Sequence, residues 1–258
     1  MLLAVSTNKG GVLKTSIATS LASIYSQEQK TLIIDADNQG NVALTYGRNP
    51  DQYEYTIYDV LAQNVSPEAA IDKINSNLHI LPANDELAFL EFDVLSNPND
   101  YPKPFHIMRE KLTPLLASYD VIIMDAPPNI GLITGNILSF VQDIIIPFQP
   151  EHYSMRSFIK MLEVIDNFKG SHNKNLKVSG VVGTLVDSRT VLHKQILEQC
   201  EEYCEKNNIR MFKQIIPRSV QFANSIAYEQ QPAVMNRKKN PATEVYFNIK
   251  EELDNGKK

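Results

Sequence analysis

The sequence predicts an α/β fold in which helices cover both faces of a doubly wound, mostly parallel sheet. Short apolar runs recur along the chain, and most are separated by segments long enough for a helix. The runs are almost continuously apolar, which is typical of parallel strands buried on both faces. Such a sheet brings the loops that follow its strands to one edge, where ligands bind. The predicted strands are Leu2–Val5, Thr31–Asp35, Leu78–Leu81, Val121–Met124, Ile144–Phe148, Val178–Val186 and Met211–Ile216.

Length and composition favour one domain spanning residues 1–258. The hydrophobic fraction of 43% and the charged fraction of 21% are ordinary for a globular protein. The chain has no run of about 18 uninterrupted apolar residues, so we expect no membrane span. Met1 leads directly into the first predicted strand, and the two cysteines exclude a disulfide framework. These features predict a cytoplasmic protein.

The net charge of −5 and the isoelectric point near 5.6 are not those of a generally basic nucleic-acid binder. Any contact with DNA must come from a local basic patch.

The first strand is followed by a glycine-rich loop, residues 6–16, and then by a helix-patterned segment. Gly10 and Gly11 let the backbone approach a polyanion, and the turn after them directs free N–H groups and the positive end of a helix at it. Lys14 supplies a charge for the β- and γ-phosphates of a nucleotide, and the Thr15 hydroxyl is a magnesium ligand. The loop therefore predicts a site for nucleotide phosphates and Mg²⁺. The structural alternative is a glycine turn with solvated lysines.

The loop departs from the common phosphate-binding motif G-x-x-x-x-G-K-[ST], because Asn8 and Leu13 occupy its two glycine positions. Residues 9–15 instead resemble the deviant Walker A box, K-G-G-x-x-K-[ST], of the ParA/MinD family of dimeric ATPases. The resemblance implies that Lys9, the additional lysine, reaches across to the nucleotide of a second subunit. The nucleotide-binding residues it implies in this loop are Lys9, Gly10, Gly11, Val12, Leu13, Lys14, Thr15 and Ser16.

The second strand ends in residues 35–41, which resemble the D-x-D-P-Q-G-N segment of that family. Asn38 replaces the usual proline, so we expect a less rigid loop. The resemblance assigns the second carboxylate, Asp37, to orienting the attacking water and to holding magnesium through a bound water. An Asx-turn that closes the strand is the alternative. The further matches at Gln39, Gly40 and Asn41 favour the functional interpretation.

The strand at Val121–Met124 ends in Asp125, which is the general form of a Walker B element that supports magnesium. Pro127, Pro128 and Gly131 match the D-x-P-P-x-x-G switch of the family. The resemblance thus implies three catalytic residues and three magnesium residues. They are Lys9, Lys14 and Asp37 for catalysis, and Thr15, Asp37 and Asp125 for the metal.

Three later segments extend the resemblance from Leu2 to about Leu253. Residues 146–151 resemble the family's strand that leads into a helix of the dimer interface. Residues 183–190 resemble a family segment that ends in D-x-R-T. Residues 216–218 match the I-P-R sequence that follows the last strand in the family. The family pattern implies that Pro217 lies near the adenine and that Arg189 and Arg218 contact DNA.

Both arginines also have a structural interpretation, in which they pair with carboxylates such as Asp187. The basic run at residues 237–239 could extend a DNA patch or be a solvated loop.

Taken together, the resemblance implies a partition ATPase without an N-terminal helix-turn-helix extension, as in the shorter ParA proteins. ATP would drive a sandwich homodimer that binds non-specific double-stranded DNA of the nucleoid. Slow hydrolysis, stimulated by a centromere-binding ParB-like partner, would release the DNA.

Two alternatives have distinct sequence features. A MinD-like membrane-surface ATPase would use a C-terminal helix, and Val245, Ile249 and Leu253 form a suitable stripe, although nearby acids oppose binding to an anionic surface. A core-packing helix is the favoured interpretation of this stripe. A metabolic ligase on the same fold, such as one of the dethiobiotin synthetase group, would have little use for Lys9.

Overall fold

The apolar runs form one eight-stranded sheet in the computed structural model, which describes residues 1–218, 230–236 and 241–256. The strand order is β3-β4-β2-β5-β1-β6-β7-β8, and every neighbouring pair is parallel except β3 with β4. The predicted fold class is therefore confirmed. The strands are β1 (Leu2–Val5), β2 (Thr31–Asp35), β3 (Asp72–Lys73), β4 (Leu78–Leu81), β5 (Val121–Asp125), β6 (Asp143–Phe148), β7 (Lys177–Val186) and β8 (Met211–Pro217).

Helices cover both faces because successive strand residues are apolar and point to opposite sides. On one face, Leu3 and Val5 of β1 pack with α1, α2 and α9; on the other, Leu2 and Ala4 pack with helices from α3 to α8. The helices of the described residues are α1 (Lys14–Tyr25), α2 (Asn41–Thr45), α3 (Ile57–Ala62), α4 (Leu90–Ser96), α5 (Ile107–Leu112), α6 (Leu132–Phe140), α7 (Ser154–Ser171), α8 (Val191–Lys206) and α9 (Pro241–Asn255).

The three strands that carry the ATPase motifs are neighbours in the sheet, in the order β2-β5-β1. Their register pairs Asp125 with both Val5 and Asp35. Because all three strands run in one direction, the glycine-rich loop and the two acidic loops meet at the same carboxyl edge.

The C-terminal stripe is part of the core. Val245, Ile249 and Leu253 of α9 are buried with residues of α1 and β8. This confirms the core-packing interpretation of the stripe. In the part of the chain that the structure describes, no helix combines the length and hydropathy needed to cross a bilayer. The basic run at residues 237–239 lies outside the described residues.

Candidate nucleotide-binding site

The glycine-rich loop turns through two left-handed residues before α1 begins at Lys14. Gly11 has φ of 69°, and a Cβ there would meet no atom within 4 Å, so its backbone conformation, not the available space, favours glycine. Leu13 has φ of 68° and ψ of 26°, although it carries a side chain. This conformation is the one expected where the common motif has glycine. It costs about 1–2 kcal/mol for a residue with a Cβ.

Lys14 folds back over the loop, where its Nζ donates a hydrogen bond to the carbonyl oxygen of Lys9 at 3.0 Å. The side chain is buried, and burial lowers the pKa of its ammonium group, with Asp125 and Asp37 opposing this shift. A buried cation at the start of a helix favours an anionic ligand, because the ligand's charge offsets the desolvation of the ammonium group.

Thr15 and Asp125 meet beneath the loop, where the Thr15 hydroxyl donates to Asp125 Oδ2 at 2.6 Å. Asp125 is buried, and its other oxygen, Oδ1, has no hydrogen-bond partner among the described residues. Burial raises the pKa of Asp125 to about 7, while the Thr15 hydrogen bond and the charge of Lys14 act in the opposite direction. A hydroxyl beside a carboxylate with an unsatisfied oxygen suits Mg²⁺, which prefers oxygen ligands and retains several waters.

Asp35 and Asp37 shape the acidic loop after β2. The Asp37 N–H donates to Asp35 Oδ1 at 3.0 Å, and the Val42 N–H donates to Asp35 Oδ2 at 3.0 Å. Asp37 in turn accepts from the Gln39 N–H at 3.2 Å, so the Asx-turn proposed as the alternative is present and uses Asp37 Oδ1. Gly40 closes the loop at φ of 63°, where a Cβ would lie only 2.6 Å from Pro50.

Three carboxylates, Asp35, Asp37 and Asp125, are buried close to one another, with Lys14 near them. Burial and the charge of Asp125 raise the pKa of Asp35 well above its usual value, although two backbone N–H groups stabilise its carboxylate form. This excess of buried negative charge favours binding of a divalent cation.

The Lys9 side chain contacts the loop after β6, whereas the Lys14 side chain bonds within the glycine-rich loop. The Lys9 Nζ donates to Glu151 Oε2 at 2.7 Å and lies 3.4 Å from Ser154 Oγ, where β6 leads into α7. The hydrogen bond from Lys9 is the main reason that the pKa of Glu151 lies below its usual value. The two lysines of the motif therefore have separate partners in the single chain.

Comparison with known proteins identifies the group to which this arrangement belongs. A family model described as an AAA domain matches residues 1–178. A ParA family protein from Mycoplasma pneumoniae is 31% identical over 244 residues, which cover 90% of this chain and 88% of the relative. The chromosome partitioning protein ParA of Myxococcus xanthus is 32% identical over 254 residues, which cover 98% of this chain and 87% of that protein. The chain belongs to the ParA family. The predicted resemblance is confirmed.

Solved structures also resemble this ParA-family chain over most of its length. Cobyrinic acid a,c-diamide synthase from Mycobacterium smegmatis, solved with an ATP analog and magnesium, has a TM-score of 0.80 and 29% sequence identity. The match covers 95% of this chain and 90% of that chain. The P-loop fold of the ParA-family chain is thus shared with a protein that binds an ATP analog and magnesium in its crystals.

The two arginines expected at a DNA surface of the ParA-family chain lie on neighbouring loops at the carboxyl edge. Arg189 forms two hydrogen bonds to the Asp187 carboxylate, at 2.9 and 2.8 Å, and its side chain is 87% exposed. Arg218 is exposed and its N–H donates to the Val186 carbonyl oxygen at 3.3 Å. Pro217 is the exposed last residue of β8. The Asp187 pair matches the structural interpretation of Arg189, while its DNA contact remains a prediction.

Sequence reasoning on this ParA-family chain missed two participants. Asp35 positions Asp37 through the backbone, and the signal available was the paired-acid pattern at the end of a strand. Glu151 binds Lys9 from far along the sequence, and only the predicted parallel sheet hinted that their loops share one edge.

Proposed function

We propose that this chain is an ATP-dependent DNA partition ATPase that acts as a single domain over residues 1–258. ATP drives formation of a sandwich homodimer, and the dimer binds non-specific double-stranded DNA. A centromere-binding ParB-like protein stimulates slow hydrolysis and thereby releases the DNA. The protein works in the cytoplasm, associated with the nucleoid.

The phosphate chemistry falls to residues of the glycine-rich loop and β5. Residues 9–16 would wrap the phosphates with their backbone, Lys14 would neutralise the β- and γ-phosphates, and Thr15, Asp37 and Asp125 would hold magnesium. Magnesium supplies charge neutralisation of the transferring phosphoryl group. The unsatisfied Asp125 Oδ1 and the buried Lys14 ammonium support this assignment.

Asp37 orients the attacking water. Its backbone is fixed by Asp35, and its carboxylate lies near enough to Lys14 and Asp125 to affect the pKa values of both. A carboxylate held in this way acts on the transition state more than on the bound nucleotide.

The observation that carries the proposal is the separation of the two lysines. Lys14 bonds within its own loop, whereas Lys9 extends to Glu151 and Ser154 at the start of α7. A lysine that does not serve its own phosphate loop is available to a second subunit's nucleotide. In the dimer, Lys9 exchanges the Glu151 carboxylate for that phosphate.

Arg189 and Arg218 supply the positive charge for DNA, and Pro217 packs near the adenine. Both arginines are exposed at the same edge as the phosphate loop. Their contacts are to phosphates, because a partition ATPase must use any stretch of DNA as a track.

Size-exclusion chromatography with light scattering tests the proposal, using ATP, ADP or no nucleotide, each with and without duplex DNA. The wild-type protein should dimerise with ATP alone and elute with DNA only in that state. Lys14→Ala should abolish nucleotide binding, whereas Lys9→Ala should bind nucleotide as a monomer and fail to dimerise. If both variants lost nucleotide binding equally, Lys9 would be an ordinary phosphate ligand.

Glu151→Ala is the matched control, because it removes the same ion pair from the other side. It should retain ATP-driven dimerisation, which separates loss of the Lys9–Glu151 pair from loss of the contact across the dimer.

The two rival functions give different results in parallel assays. A MinD-like protein would sediment with anionic vesicles and ATP but not with DNA. A metabolic ligase would show no ATP-dependent dimer, and its ATP consumption would require a small carboxylate. The assay of ATP consumption with a small carboxylate is included because one structural relative is a diamide synthase.

A further inference from the structure

Helix α4 and the turn before it carry apolar residues on two opposite faces. Leu87, Leu90 and Val94 point into the core and are buried. On the other side lie Phe89, Phe92 and Leu95, whose exposed fractions are 60%, 69% and 74%. We call these three residues the outer stripe. A surface helix normally presents polar residues to solvent, so two apolar faces indicate that the second one is covered by a partner.

The outer stripe is continuous because its members are three residues apart. At 3.6 residues per turn, this spacing keeps the three side chains within about one third of the helix circumference. Two phenylalanines within one stripe supply large apolar contact areas, of the kind that anchor protein interfaces.

The chain segment that carries the outer stripe is strongly acidic. Between Lys73 and Lys103 the chain contains no lysine or arginine. The same interval contains five carboxylates. They are Asp85, Glu86, Glu91, Asp93 and Asp100. An apolar stripe with an acidic border complements a segment that has apolar residues flanked by basic ones.

The stripe also adjoins the loop that follows β5. Glu91 lies between the two, and its Oε2 is 3.4 Å from the position that a Cβ on Gly131 would take. A cleft of about 180 Å³ is lined by Leu87 and Glu91 together with Asn38 and Pro127, so the loops after β2 and β5 both border it. A partner that covers the stripe and extends past Glu91 would therefore reach the loops that follow β2 and β5.

We propose that the outer stripe is the docking surface for a basic amphipathic helix of a partner protein. The apolar face of that helix covers Phe89, Phe92 and Leu95, and its lysines or arginines pair with the acidic border. This docking requires no nucleotide and does not rest on the proposed function.

Three other occupants fit the surface less well because of charge. A second copy of this chain would bring a protein of net charge −5 against an acidic patch, and anionic lipid and DNA would be repelled in the same way.

The test uses a fluorescein-labelled peptide of about five helical turns, with leucines at helical spacing and lysines and arginines elsewhere. The control is a scrambled peptide of the same composition. Binding is measured by anisotropy without nucleotide, so that failure of the proposed ATPase function does not affect the result. We expect the amphipathic peptide to bind about tenfold more tightly than the scrambled one.

Phe92→Ser should weaken binding of the amphipathic peptide about tenfold, and Glu91→Gln should weaken it less and reduce its salt dependence. Leu116→Ser is the matched control, because Leu116 is 42% exposed on a different segment, and it should change nothing. Circular dichroism melts confirm that each variant is folded.

Several outcomes would overturn the inference. Equal binding of the scrambled peptide, no measurable binding, or identical affinities of wild type and Phe92→Ser would each remove the docking surface. Two further results would also overturn it. One is self-association of the wild-type protein, measured by sedimentation velocity, that Phe92→Ser abolishes; the other is binding to anionic vesicles that Phe92→Ser abolishes. In either case the stripe would bind that other occupant instead of a basic helix.

Discussion

At the scale of single residues, the candidate site separates groups predicted to bind the nucleotide from groups that hold them in place. Asp37 is fixed on both sides, since its N–H bonds to Asp35 and its carboxylate accepts from Gln39. The Asx-turn and the proposed water-orienting role of Asp37 are therefore compatible. The two interpretations of this loop that the sequence allows do not exclude each other. Lys9 shows the limit of sequence reasoning, because no local pattern links it to Glu151.

Asp37→Ala should preserve ATP affinity and dimerisation while slowing hydrolysis, because it removes a group that acts mainly in the transition state. Dimers should then persist after ATP addition. Side-by-side measurement of ATP affinity and single-turnover rate checks this prediction. A large loss of affinity with a normal rate per bound nucleotide would contradict the assigned role.

Leu13→Gly should leave ATP affinity within about tenfold of wild type, which corresponds to about 1.4 kcal/mol. Glycine relieves the strain of the left-handed conformation at φ of 68°, but the side chain also packs against buried apolar residues, and that contact is lost. Isothermal titration with ATP and magnesium measures the effect. If Leu13→Gly raised ATP affinity by several orders of magnitude, the leucine would be the reason for weak nucleotide binding in the wild-type protein.

At the scale of elements, the longer strands were predictable to within about one residue, because most of them are largely apolar runs bounded by polar residues. The two-residue strand β3 was not, because a segment so short has no periodicity, and its antiparallel pairing with β4 follows from the tertiary structure. Helix α4 is hard to predict from the sequence, because apolar residues on both of its faces obscure the amphipathic pattern.

Strand β4 should make the protein sensitive to mild acid. His79 is buried, with its Nδ1 2.8 Å from the Tyr119 hydroxyl. Burial lowers the pKa of His79 from the usual 6.5, and Lys30 and Lys73 add to the shift while Asp72 opposes it. As pH falls below 6.5, the unfolded chain takes up a proton that the folded chain resists, so stability decreases. His79→Asn should flatten this dependence.

Urea unfolding at pH values on either side of the usual histidine pKa measures the effect. His106, whose pKa is also lowered by burial, leaves a residual slope in the variant. Tyr119→Phe is the control, since it removes the hydrogen-bond partner and keeps the buried imidazole. Equal slopes for wild type and His79→Asn would assign the acid sensitivity elsewhere.

At the scale of the whole molecule, an acidic protein that binds DNA must concentrate its positive charge. Arg189 and Arg218 lie on the edge of the sheet that also carries the phosphate loop, so a dimer formed through that edge would bring two such pairs together. The Arg189–Asp187 pair is exposed, and an exposed pair of this kind contributes little to stability. A DNA phosphate can therefore replace Asp187 as the partner of Arg189.

Arg189→Ala and Arg218→Ala should each weaken DNA binding uniformly across sequences and lower the slope of log affinity against log salt by about one. Dimerisation and basal hydrolysis should persist. Asp187→Asn should strengthen binding, because it frees Arg189 of a competing carboxylate. Anisotropy with duplexes of unrelated sequence, from low to moderate salt, decides the matter. Unchanged slopes would make both arginines structural.

The central position of β1 has a consequence for synthesis on the ribosome. Leu2 pairs with Ile122, and Leu3 pairs with Asp143, so neither neighbour of β1 exists when the strand emerges. At a synthesis rate of 5–20 residues per second, β5 is made on the order of ten seconds after β1. During that interval the apolar side chains and unpaired backbone groups of β1 are accessible to chaperones or to other nascent chains. A ribosome stalled before Val121 therefore holds the complete glycine-rich sequence without the strand partners that would shape it.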